Sequence, residues 1–185
     1  MTNIKKKKSL DWLIKNYLSF FQEFGMTESN IIEYFDTWKK NRPEIVEDYL
    51  WYIFNNLLNE NEKHSENLIE LFKRNEKIYS VMINFRRRFE QKKANEIQKL
   101  YNANKVNLDL ESKLPSSLEM EFVIIGTNHC EQSKKISGKS ITIKQAIENK
   151  TIPYEECSRN KGCVCLMGFM AKRDEKGTLI WKNKR

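Results

Sequence analysis

The chain is short of the residues that punctuate structure. Its 185 residues include three prolines and six glycines, and all but one of the glycines lie at Gly126 or later. The first 125 residues therefore lack the turn chemistry of a β-rich fold, and long helices are the architecture left open to them. Cysteine is absent before Cys130. Histidine is nearly absent too: only His64 and His129 occur, which excludes a histidine-rich metal site. There is no phosphate-cradling glycine loop, no H-E-x-x-H and no G-x-S-x-G. Apolar runs such as "WLI" and "FVIIG" fall far short of the roughly 18 residues that cross a bilayer, so no membrane partner is expected. The basic lead "MTNIKKKKSLDWLI" is interrupted by Asp11 and Lys15 and is followed by no small-residue cleavage site. It reads as an entry into a helix rather than a secretion signal, and a cytoplasmic, non-secreted protein is expected.

What is present up to about residue 105 is helical period. Leu10, Leu13, Ile14, Tyr17, Leu18, Phe21 and Phe24 recur at three- and four-residue intervals, and Gly25 supplies a stop. Thr27 offers a cap to a second helix in which Ile31, Ile32, Tyr34, Phe35 and Trp38 form a broad apolar face. Pro43 suits the first turn ahead of a third, strongly apolar helix, "EIVEDYLWYIFNNLLN". Residues 62 to 74 read as a fourth, and a long fifth from Glu76 carries Ile78, Val81, Met82, Phe85, Phe89, Ile97, Leu100 and Tyr101. Trp12, Trp38 and Trp51 fall on apolar faces. Arg86, Arg87 and Arg88 are consecutive and so fan around the helix, whereas Arg86 and Lys93 share a stripe with Glu90.

The pattern then changes. Residues 102 to 117 keep no period and contain Pro115, "EMEFVIIG" is a strand, "TIKQAIEN" is a short helix capped by Thr142, and "CLMGFMA" and "TLIW" flank a hairpin closed by Gly177. The predicted organisation is mainly α: a bundle of about five helices over 1–105, a connecting segment over 106–118, and a small α+β module over 119–185.

All four cysteines, Cys130, Cys157, Cys163 and Cys165, lie in that module, spaced C-x26-C-x5-C-x-C. A segment of about 60 residues is near the size at which a hydrophobic core alone stops sufficing, so a shared staple is the favoured explanation. Structural zinc held by four thiolates fits a reducing compartment. Reduced packing thiols and a disulfide or redox pair are the other two readings. In a regular strand Cys163 and Cys165 would stand too far apart to share a metal, and Gly162 is the residue that can bend the chain there. His129 is a possible substitute ligand.

The order "HCEQSKKISGK", "IP", "C" and "GCVC" with a polar hairpin after it resembles the C-terminal cysteine module of phage head morphogenesis (minor head) proteins and related bacterial proteins. The likeness covers residues 129–165. It departs from that pattern in having one cysteine at 130 and Tyr154, Glu155 and Glu156 before Cys157. The resemblance implies metal binding and a role in virion assembly inside a bacterial or phage-infected cell.

Charge is lopsided. Lysine plus arginine outnumber aspartate plus glutamate 20 to 19 over residues 1–125 but 13 to 6 over 126–185. A bound zinc tetrathiolate would remove two units from the module and still leave it basic. Lys134, Lys135, Lys139, Arg159, Lys161, Lys172 and Arg173, with Trp181 for stacking, are the residues expected to meet nucleic acid or an acidic protein surface. The leading expectation is thus a non-enzymatic binding or adaptor protein with a structural zinc module. The alternatives are a phage-related assembly protein and a cysteine-dependent enzyme using Cys157.

Overall fold

Ser9 and Thr27 open the first two helices in the computed structural model, which describes residues 8–42, 45–113, 116–127, 129–148, 152, 155 and 157–182. The start of the basic N-terminal lead, Pro43, Pro115, Tyr154 and Glu156 lie outside the described residues. The element order is α1 (Leu10–Gln22), α2 (Glu28–Trp38), a short 3-10 turn, α3 (Val46–His64), α4 (Leu68–Arg88), α5 (Asn95–Lys113), β1 (Met120–Ile125), α6 (Glu131–Ile136), β2 (Ser140–Ile141), α7 (Ile143–Glu148) and β3 (Leu166–Ala171). The protein is mainly α with a small C-terminal α+β part. Among the described residues no helix is long and apolar enough to cross a membrane.

The chain divides into two compact units, Met1–Glu60 and Asn61–Arg185. In the first, the Ser9 hydroxyl accepts from the Trp12 N–H at 3.2 Å, and Thr27 forms a reciprocal capping box with Asn30. Gly25 takes a φ of +79°, and the Met26 N–H returns to the Phe21 carbonyl at 3.1 Å to end α1. Leu13, Tyr17, Phe21, Ile31, Phe35, Leu50 and Phe54 form the core. Phe54 meets the rings of Tyr17, Phe20 and Phe21 at tilted or edge angles, which suits their quadrupoles. The Tyr49 hydroxyl donates to the Ile31 carbonyl at 2.7 Å, so its burial leaves no orphaned polar group. Trp38 is buried, whereas Trp51 is half-buried.

The second unit corrects the helical reading in two places. One helix, α4, covers residues assigned above to the end of a fourth helix and the start of a fifth, and that fifth helix is broken. Gln91 adopts a left-handed φ of +58°, and the Lys92 N–H returns to the Arg86 carbonyl at 3.1 Å. No glycine or proline advertises this break, because a polar side chain can occupy that conformation. Chain reversal sets α5 antiparallel to α4: Tyr101 donates to Glu76 at 3.0 Å, and the Asn104 amide to the Phe72 carbonyl at 2.7 Å. The second correction is that α5 continues to Lys113, through most of the segment read as a linker. Buried polar residues, Gln98, Asn102, Asn104 and Asp109, interrupt the apolar period and hide a helix that the fold uses throughout. Helices α4 and α5 therefore belong to the unit that carries the cysteines.

The sheet order is β2-β1-β3, all antiparallel, with Phe122 opposite both Ile141 and Phe169. Phe122, Ile124, Met167 and Phe169 face one core with Val106 of α5 and Ala146 of α7. Gly177 has φ +81° and closes the hairpin after β3, where Arg173 and Leu179 form a bridge. Helix α6 and strand β2 were not foreseen from the sequence. The signal for α6 is a cap built by Cys130 and Ser133, a sulfur playing the part usually read from an oxygen.

Candidate metal centre

Three separate segments deliver the cysteines. Cys130 sits in extended conformation just before α6, where its Sγ accepts from the Ser133 N–H at 3.3 Å. The Ser133 hydroxyl lies against the Thr127 and Cys130 carbonyls and accepts from the Cys130 N–H at 3.4 Å, which fixes the turn that carries this thiol. Cys157 lies in the loop after α7, with its Sγ 3.9 Å from that of Cys130. Cys163 and Cys165 stand in the irregular stretch that leads into β3, not in the strand itself, and the Cys165 N–H points at Cys163 Sγ from 3.5 Å. Gly162 makes the bend with φ +85°. A Cβ there would also run into Asn95 Oδ1, so two independent constraints select glycine.

All four thiols are reduced and buried, and all four belong to the same core as Phe122, Ile124 and Met167. They form two pairs, Cys130 with Cys157 and Cys163 with Cys165. The pairs also feel each other: Cys163 raises the thiol of Cys157, and Cys130 raises that of Cys165. Each sulfur has a main-chain donor. Ser133 and Gln132 serve Cys130, Arg159 serves Cys157, Cys165 serves Cys163, and Thr127 serves Cys165. Such donors favour the thiolate.

Charge at these sulfurs is a contest between those donors and burial. The Ser133 side chain, followed by its N–H, holds Cys130 below the ordinary thiol range. Burial wins at Cys157, which is raised, and at Cys165, which is pushed up to about 12. A cation among the sulfurs would reverse that balance. With zinc–sulfur bonds of about 2.3 Å, the edge of a tetrahedron of sulfurs is about 3.8 Å, close to the 3.9 Å between Cys130 and Cys157. Among the described residues, no group of three or more His, Cys, Asp or Glu side chains is already closed into a metal cage. The four thiols are the donor set a tetrathiolate requires, but they lie as two pairs that would have to draw together to complete one. His129 is exposed, whereas the four cysteines are buried.

A polar clamp from α4 and α5 holds the Cys163 loop. Arg87 Nε donates to the Lys161 carbonyl at 3.1 Å, and its Nη2 donates to the Cys163 carbonyl at 2.5 Å and to Gln98 Oε1 at 3.1 Å. The Cys163 N–H donates to Asn95 Oδ1 at 3.0 Å, and Asn102 Nδ2 to the Cys165 carbonyl at 3.5 Å. Burial, and then the charge of Arg159, lowers the Arg87 pKa. From the sequence, Arg87 is only the middle one of three consecutive arginines that fan around a helix. The clue that could have found the clamp is the Asn95, Gln98 and Asn102 stripe on one face of α5.

The predicted basic contacts are distributed rather than gathered. Lys134, Lys135 and Lys139 lie around α6, with Lys134 paired to Glu131 at 2.8 Å. Arg159 and Lys161 belong to the cysteine loop. Lys172 and Arg173 follow β3: Lys172 faces Glu119 at 3.7 Å, and Arg173 donates to the Gly177 carbonyl at 2.6 Å. Trp181, which forms a β-bridge with Leu118, is 63% exposed. Arg86 pairs with Glu90 at 2.7 Å, as its helical spacing predicts. No family model matches the chain, and neither does any curated protein or solved structure.

Proposed function

We propose that this protein is a non-enzymatic binding or adaptor protein whose C-terminal part folds around a structural zinc site with four thiolate ligands, Cys130, Cys157, Cys163 and Cys165. The observation that carries the reading is the gathering of four reduced thiols in one core, each with a main-chain N–H directed at its sulfur. Packing thiols need no such donors. A closed tetrathiolate leaves no position for an activated water, which makes the metal a staple rather than a reaction centre. Burial, which raises the Cys157 thiol, also argues against its use as a nucleophile.

The partner we assign to the basic surface is nucleic acid, contacted through phosphates by Lys134, Lys135, Lys139, Lys172 and Arg173, with Trp181 offering an exposed ring for a base. Zinc content measured by atomic emission on protein purified under reducing conditions tests the first half. About one zinc per chain is expected, and a value well under one equivalent overturns it. Anisotropy titrations of labelled oligonucleotides across a salt series test the second. Affinity should fall steeply with salt, and a flat response removes nucleic acid as the partner.

A further inference from the structure

Two basic segments far apart in sequence become one surface in the fold. Arg87 and Arg88 end α4, Lys92 and Lys93 occupy the turn after it, and Arg159 and Lys161 belong to the cysteine loop. The bond from Arg87 Nε to the Lys161 carbonyl, 3.1 Å long, joins the two. A second contact lies beside it. The Cys163 N–H reaches Asn95 at 3.0 Å, and a Cβ on Gly162 would stand 3.4 Å from the nitrogen of Ala94, the residue after Lys93. The Gly162 N–H closes a turn onto the Arg159 carbonyl at 3.0 Å. Turn 159–162 is therefore packed against the turn that carries Lys92 and Lys93.

Positive charge dominates there. Arg88, Lys92 and Lys93 are exposed, Arg159 and Lys161 are half-buried, and none of the five is ion-paired among the described residues. The charge of Arg159 is close enough to repel that of Arg87, and the opposing pull on Arg87 comes from the thiols of Cys163 and Cys157, not from a carboxylate. Glu90 is held by Arg86 at 2.7 Å. Glu96 and Glu155 flank the two segments, exposed and paired with none of the five. Six cations, Arg87 included, thus outweigh these two carboxylates, and a zinc tetrathiolate would take back only two units. Phe89 is half-buried and has the Arg88 guanidinium 5.5 Å from its ring centroid. The surface therefore offers cations and no open ring for a base to stack on.

We infer that this surface is a second nucleic-acid contact, one that holds backbone phosphates and reads no bases, through Arg88, Lys92 and Lys93 from the α4 side and Arg159 and Lys161 from the cysteine loop. Guanidinium forks match phosphate oxygens, and contacts of this kind set position without carrying sequence information. The inference rests on the nucleic-acid reading above and adds residues that the reading leaves unused. It joins the basic run on α4 to the module that holds the cysteines.

Fluorescein-labelled oligo-dT and a duplex of mixed sequence are the probes, titrated into the full chain over a sodium chloride series and followed by anisotropy. Two double variants are compared with the parent: Arg88→Gln with Lys93→Gln, and Arg159→Gln with Lys161→Gln. Each should bind about tenfold more weakly at low salt, and its plot of log affinity against log salt should be shallower by about 1–2. The loss should be alike for both probes, because phosphates are what they share. In ¹H–¹⁵N spectra of the unaltered chain, either probe should shift the Asn160 and Gly162 amides. No binding by the parent overturns this inference together with the nucleic-acid reading. Binding with an unchanged slope in the variants, a loss confined to one probe, or unmoved Asn160 and Gly162 amides overturns this inference alone. Displacement of both probes by a polyglutamate peptide of equal affinity would assign the surface to an acidic protein instead and overturn it as well. Arg88 and Lys93 are exposed and lie outside the cysteine loop, and the amide shifts need no variant, so the question is decided even if the loop variant folds poorly.

Discussion

Gly162 meets two demands at once, a left-handed φ of +85° and a backbone pressed against Asn95. Replacing it with alanine should cost about 1–3 kcal/mol and loosen the turn that presents Cys163, measured as a lower denaturation midpoint and less bound zinc. Tyr101 permits a pH test. Burial, and then Glu76, pushes its hydroxyl up to about 12, against an ordinary value of 10.0. The folded chain therefore holds that proton more tightly than the unfolded chain does. The stabilisation is complete below about pH 10 and drains away as pH rises toward 12. Thermal midpoints measured across that interval should fall less steeply in Tyr101→Phe than in the unaltered protein. An equal slope in both would show that Tyr101 does not contribute.

Helix α5 is the element on which the second unit turns. One face packs Val106 into the core beside the cysteines, and another carries the Asn95, Gln98 and Asn102 amides that hold the loop preceding β3. Arg87 reaches that loop from α4 with a fork of donors that lysine cannot reproduce. Arg87→Lys should retain the charge yet lose at least one of the carbonyl contacts, at a cost of about 1–3 kcal/mol. Hydrogen exchange should then rise over residues 161–165 while α1 and α2 stay protected. Uniform exchange in variant and parent would show that the clamp is dispensable. Amphipathic period alone exposes little of this, because polar side chains buried for hydrogen bonding look like solvated positions until their partners are known.

At the scale of the molecule the two units should respond differently to metal. If zinc closes the two thiol pairs into one site, chelation removes a cross-link among segments at Cys130, Cys157 and Cys163 to Cys165, and with it folding free energy. Adding chelator to the full chain should raise hydrogen exchange in β1, α6 and β3. The Phe54 and Tyr49 aromatic core of the first unit contains no cysteine and should keep its protection. Near-identical exchange with and without chelator would favour ordinary packing thiols.

Several features follow from sequence alone because they depend on neighbours a few residues away. The caps at Thr27 and Thr142, the stops at Gly25 and Gly177, the helical character of the first hundred residues and the strands at 120–125 and 166–171 are of this kind. So are the basic character of the tail and the clustering of its cysteines. Other features needed the folded chain: the break at Gln91, the extension of α5 to Lys113, the Arg87 clamp and the pairing of Cys130 with Cys157. Each depends on groups far apart in sequence, brought together only when burial makes an unsatisfied polar atom costly and selects the partner that removes the cost.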